Sequence, residues 1–243
     1  MSITRMPLHN IAAEYPASIA LFEQFDIDLC AWGDKLLGEA CSALRLSADQ
    51  VEEKLRALTG IGTARENTAL LSLTQLIQLI VREHHRRIRQ DLPALARLAD
   101  RLAEKHPAQS NTYATIARLI RELHSELIAH IEKEEHIMFP VIAAMEQCGD
   151  DVCAHGGAAT QSVRQPAAHM MREHAEAAHK LEKLRCLTAD FTVPATACAT
   201  QRALYNGLHK FEAGFGEHLH LENDVLFPRS IAAESALRER SLS

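Results

Sequence analysis

His130-Ile-Glu-Lys-Glu134-Glu-His-Ile-Met-Phe139-Pro140 and His218-Leu-His-Leu-Glu222-Asn-Asp-Val-Leu-Phe227-Pro228 are one template written twice, 88 residues apart. In each copy a His and a Glu stand four residues apart, and a Phe-Pro pair follows. On a helix that spacing projects both side chains from one face, a single turn apart. A histidine precedes each copy, His85 and His174, 89 residues apart, so the duplication extends upstream. His85 to His130 spans 45 residues and His174 to His218 spans 44, as expected of two antiparallel helix pairs meeting at one depth. Four imidazoles and two carboxylates then converge between four helices, where an ionised group without a partner is prohibitively costly. A metal supplies the compensation. Six ligands suit two ions better than one, with Glu134 and Glu222 bridging and two His on each ion. Imidazole nitrogen with carboxylate oxygen favours Fe or Mn over a four-coordinate structural Zn, and two iron ions are expected.

The adjacent pair His84-His85 is separated by helical phase. From His85 the core spacing continues through Ile88, Leu92, Leu95, Ala99 and Leu102, whereas His84 leads to Arg87 and Asp91. His85 is therefore the inward residue, and His84 is expected on the solvated side or behind a ligand. Glu135 and His136 are expected to support the ligands from outside. Phe139-Pro140 and Phe227-Pro228 should pack in the core and end or kink their helices.

Around this template the apolar residues recur at three and four spacing over four long segments, about 68–105, 110–146, 166–189 and 196–234. Four such helices make a bundle, here over residues 66–234, with residues 235–243 as a C-terminal tail. Residues 1–62 read as a small N-terminal helical module, with Ser47 and Gln50 capping one of its helices. The run from Gly60 to Asn67 reads as a linker, and the stretch from Gln147 to Gln165, containing Cys148 and Cys153, as a loop. The 243 residues are 5% aromatic with ten Gly and eight Pro, which disfavours a sandwich or barrel and supports an all-α chain. A net charge of -6 argues against a nucleic-acid partner. No apolar run spans a membrane, and six scattered cysteines suit reduced thiols in the cytoplasm.

These motifs, together with Phe25-Asp-Ile-Asp-Leu-Cys30, Leu92-Pro93, Met170-Met-Arg-Glu-His174 and Tyr205-Asn-Gly207, resemble the repair-of-iron-centres family of haemerythrin-like di-iron proteins. The resemblance covers nearly the whole chain. It implies a haemerythrin-like four-helix bundle behind a small N-terminal domain, and a carboxylate- and oxo-bridged di-iron centre on His85, His130, Glu134, His174, His218 and Glu222. It also implies reactivity with NO and help in restoring damaged iron-sulfur clusters under nitrosative and oxidative stress. The family carries adjacent cysteines in its N-terminal module. Here Cys30 is followed by Ala31, which removes a vicinal dithiol and leaves Cys30 as at most an accessory thiol.

The expected function is a stress-response di-iron protein that delivers iron or handles NO for damaged or apo iron-sulfur proteins, and not a conventional enzyme. Two other classes stand beside it: reversible binding of NO or O2 for buffering or sensing, and NO or peroxide reduction. A homodimer is left open.

Overall fold

In a computed structural model of the chain, described over residues 3–16, 18–59, 68–148 and 162–241, the protein is an all-α helical bundle. The linker after Gly60 and Cys153 lie outside the described residues, as do the side chains of Cys30 and Cys148. The first five helices are α1 (Leu8–Glu14), α2 (Ser18–Gln24), α3 (Leu29–Trp32), α4 (Leu37–Ala43) and α5 (Ala48–Thr59). Then come α6 (Leu73–Leu79), α7 (Arg86–Lys105), α8 (Ser110–Lys133), α9 (Phe139–Cys148), α10 (Arg164–Leu187), α11 (Ala199–Leu219) and α12 (Phe227–Ser241). Among the described residues there is no strand, only an isolated bridge between Pro7 and Leu36.

Three of the long helical runs are widened by π-helical turns, Ile80–His85, Glu134–Met138 and His220–Leu226. Two of these sit directly before Pro140 and Pro228, the second residues of α9 and α12. Proline lacks the N–H and crowds the carbonyl four residues back, and the wider turn lies where residues 136 and 224 would meet it. Of the two expectations, an end or a kink, the end does not occur: helix continues through both prolines, as α9 and α12. Within the stretch 235–243, read from sequence as a tail, α12 continues as far as Ser241. Ala236, Leu237 and Arg238 are strong helix formers, and Glu234 pairs with Arg238 one turn on.

The chain divides into two compact units. One comprises Met1–Arg65, Arg89–His124 and Leu181–Ala213. Within it the short N-terminal helices bury Leu8, Ile11, Phe22 and Leu37. Glu23 on α2 pairs with Arg101 on α7 at 2.9 Å, and Asp34 accepts from Arg202 on α11 at 2.5 Å. Gly33 has no room for a side chain, because an added Cβ would lie 2.2 Å from the Ala199 Cβ. Gly207 is confined in the same way, 2.6 Å from Leu95 Cδ2. Ser47 caps α5 as the sequence suggests, its hydroxyl accepting from the Gln50 amide at 3.4 Å.

The other unit comprises Glu66–Ile88, Ser125–Lys180 and Gly214–Ser243. Its apolar core is built from Leu76, Ile80, Phe139, Ile142, Met170 and Phe227. Two glutamates secure the helix entrances. Glu146 accepts from the Leu73 and Thr74 amides, at 2.6 and 2.9 Å, while Ser72 and Gln75 form a reciprocal capping box. Glu234, 88 residues later, accepts from the Val163 amide at 3.1 Å and the Ser162 hydroxyl at 3.3 Å. Each therefore anchors the helix that carries the first histidine of its half, α6 leading to His85 and α10 holding His174. Among the described residues no helix is long and apolar enough to cross a membrane.

Burial raises the Glu146 carboxyl, but hydrogen bonds from Thr74, Leu73 and Ser72 outweigh it and hold the group below its ordinary value. Its contribution to stability is complete above the unfolded-chain value of about 4.3 and fades as the pH falls through the lower native value. Glu146→Gln should cost about 1 kcal/mol at neutral pH, measured by denaturant unfolding. The gap from the unsubstituted protein should narrow in acid.

Candidate metal centre

All six residues that the template selects converge in the second unit. His85, Glu134, His218 and Glu222 are fully buried, and His130 and His174 are 2% and 1% exposed. Their polar atoms face inward. Glu134 points Oε1 at His130 Nε2 (3.3 Å) and Oε2 at His85 Nε2 (3.4 Å). Glu222 points Oε1 at His85 Nε2 (3.5 Å), and Oε2 at His174 Nε2 (3.1 Å) and His218 Nε2 (3.3 Å). The Nε2 atoms of His130 and His174 are 2.9 Å apart. Each carboxylate thus divides its two oxygens between different histidines. Two groups could each hold a metal ion: His130, His174, His218 and Glu222, and His85, Glu134 and Glu222.

The cluster is unfinished as a hydrogen-bonded core. Among the described residues, buried side-chain atoms without any hydrogen-bond partner include His85 Nε2, both ring nitrogens of His218, and both oxygens of Glu134 and Glu222. Leaving one such group unsatisfied costs about 1–3 kcal/mol, and more when it is charged. Six of these, all but the outer His218 Nδ1, lie together in one cluster and need a common electrophile, and imidazole and carboxylate are suited to a cation. The residues present fit a metal.

Charge tells the same story. Burial lowers His85, but the Glu134 and Glu222 carboxylates that face it outweigh burial and raise the group to about 10. His130 is likewise lowered by burial and raised on balance, by Glu134 and Glu173. His218 moves the other way, pushed down to about 3 by burial that Glu222 does not offset. Burial raises Glu222, and His218, His174 and His85 more than reverse it, holding the carboxyl well below the usual range.

Outer residues hold the rings. The His85 Nδ1–H donates to Glu135 at 2.7 Å, the His130 Nδ1–H to Glu173 at 2.8 Å, and the His174 Nδ1–H to Asn223 Oδ1 at 2.9 Å. Each bond selects the tautomer that leaves Nε2 facing the cavity. Phe139 stacks on His85 with 5.7 Å between centroids, and Phe227, 88 residues later, on His174 at 6.3 Å.

Glu135 is therefore a supporting residue, as its place beside Glu134 suggests, but His136 is not. It is exposed and its Nδ1 bonds the Glu132 carbonyl. Glu173 and Asn223 were missed, although Asn223 lies 88 residues after Glu135 and could have been found by extending the repeat. His84 is half-buried behind the cluster, 5.8 Å from the His218 ring and hydrogen-bonded to the Gly214 backbone. Burial lowers its pKa.

Residues 76–230 match the family model of the hemerythrin HHE cation binding domain, and residues 4–59 match ScdA_N, a domain of unknown function. The iron-sulfur cluster repair protein YtfE of Dickeya chrysanthemi is 33% identical over 227 residues, covering 93% of this chain and 97% of that protein. The proteins of the same name from Enterobacter sp. strain 638 and Escherichia coli SMS-3-5 are each 32% identical over 234 residues, covering 96% of this chain and 100% of theirs.

The burial difference between the adjacent histidines predicts a clear contrast. His85→Ala should lose bound metal, whereas His84→Ala should retain it, measured by metal analysis of the purified variants. Equal loss from both would contradict the placement of His85 as the inward residue.

Proposed function

The chain belongs to the haemerythrin-like repair-of-iron-centres family, and from that premise we propose that its buried cluster holds two iron ions for the repair of damaged iron-sulfur proteins. The observation that carries this reading is the convergence of six unpartnered buried atoms, His85 Nε2, His218 Nε2 and the oxygens of Glu134 and Glu222, in one cluster. A ferrous pair there supplies two electrons and open positions for a diatomic such as NO. The residues divide the remaining work. Glu134 and Glu222, each presenting its two oxygens to different histidines, are suited to bridge two ions. The outer carboxylates Glu135 and Glu173 hold their imidazoles in the ligating tautomer. The hydrophobic envelope of Phe139, Met138 and Phe227 keeps bulk water from competing with the ligands.

The domain organisation that goes with this function is an N-terminal helical domain over residues 1–62 and a di-iron bundle over 66–234. Free thiols at Cys41, Cys186 and Cys198 support work in a reducing compartment such as the cytoplasm. Delivery of iron is the leading activity, and capture of NO under nitrosative stress the second. Ala31 in place of a second cysteine favours a site that binds NO without a thiol relay.

The test is anaerobic transfer of iron from the loaded protein to an apo iron-sulfur acceptor, run beside NO titration of the same preparation. The expected result is acceptor reconstitution matched by iron loss from the donor, absent in His85→Ala. Cys30→Ser should leave NO binding intact. NO binding without any iron transfer would replace the delivery reading by reversible binding, and loss of NO binding in Cys30→Ser would contradict a thiol-free site.

A further inference from the structure

The four imidazoles of the cluster are not held equally. His85 and His130, from the first half of the repeat, donate from Nδ1 to carboxylates, Glu135 and Glu173. His174, from the second half, donates to a neutral amide, Asn223. His218 donates to nothing: its Nδ1 is buried and has no hydrogen-bond partner among the described residues. Rings surround it instead, with Phe215 stacked at 5.6 Å, His84 at 5.8 Å, and His85 and His174 edge-on at 5.4 and 5.6 Å.

The repeat shows where the missing acceptor would stand. Glu173, which serves His130, immediately precedes His174, and the residue that immediately precedes His85 is His84. One half has a carboxylate at this place and the other an imidazole, lying against the His218 ring. Outer acceptors fix ring orientation and strengthen the donor nitrogen, and removing one typically costs about 10- to 100-fold in metal affinity. A charged acceptor is roughly twice as strong as a neutral one.

A second, independent feature lies in the backbone. His218 follows Gly214 and Gly216 on α11 and is followed at once by the π-helical turn His220–Leu226. Neither glycine is demanded by packing: a Cβ at 216 would meet nothing within 4 Å, and one at 214 only the Arg87 Nη1 at 3.7 Å. Glycine inside a helix weakens it, and a π turn interrupts the regular hydrogen-bond ladder. A π turn also follows the helix of His130, at Glu134–Met138, and another ends at His85, so it is the two glycines just ahead of His218 that set its helix apart from those of His130 and His174.

We infer that His218 is the exchangeable ligand of the cluster, the one that lets go first, so that one of the two bound metals leaves before the other. This rests on the two-iron reading above and goes beyond it by naming the release point. Release of the ion that His218 shares with His130, His174 and Glu222 leaves the other group, His85, Glu134 and Glu222, with its carboxylate-supported His85, to retain the second.

The test follows release of ferrous iron from the anaerobically loaded full chain to a chromogenic ferrous chelator, with bound iron per chain counted beforehand. The expected record has two phases of one iron each, the faster at least about tenfold quicker. Gly216→Ala, for which there is open space, should slow only the fast phase, by about two- to fivefold, through stiffening of the helix. His84→Glu, which restores the carboxylate of the other half, should slow the same phase further. His218→Ala should bind one iron and release it at the slow rate. Two irons released in a single phase, or a fast phase untouched by Gly216→Ala and His84→Glu, would overturn the inference and leave the two-iron reading standing. Fewer than two irons on the unsubstituted chain would overturn both.

Discussion

Six ionisable side chains are buried together without enough protein partners, and the rest of the second unit is organised around that debt. A core of this size gains stability by excluding water, and each carboxylate or imidazole left unpaired inside it opposes the gain. Among the described residues no arginine or lysine is buried to relieve the opposition. A cation relieves it, and metal binding is thereby coupled to the stability of the fold.

The framework around the cluster repeats as the ligands do. His130 and Glu134, Phe139 and Glu146 in one half correspond to His218 and Glu222, Phe227 and Glu234 in the other, each pair at the same offset. The phenylalanines stack on the preceding histidines and the glutamates anchor the helices that bear them. Where the halves differ, chemistry differs: Glu135 against Asn223, and Glu173 against His84. A pseudo-symmetric scaffold thus presents an asymmetric site, and asymmetry is what allows one ligand to be weaker than its counterparts.

Helical periodicity made much of this legible. The phase that continues from His85 into Ile88 and Leu92 separates it from His84, and the i, i+4 pairs place His130 beside Glu134 and His218 beside Glu222. Periodicity reports which face of a helix turns inward, but not which side chain on a neighbouring helix lies within hydrogen-bond reach. Glu173 is for this reason invisible as the partner of His130, a residue 43 positions away. His136 escapes periodicity on the same ground, since within the widened turn Glu134–Met138 it faces outward. The π turns are not legible because a phenylalanine followed by proline reads as an end or a kink, and only the wide turn ahead of it shows how the helix continues.

The account turns on whether the cluster depends on a cation, and the most direct measurement is the thermal unfolding midpoint of the full chain, followed by its helical signal at neutral pH, with and without ferrous iron under anaerobic conditions. A metal bound only by the folded state stabilises it by about 2.7 kcal/mol at a hundredfold excess over the dissociation constant. The account predicts a higher midpoint for the iron-loaded chain, by several degrees. An identical midpoint with and without iron, at saturating metal, would contradict it.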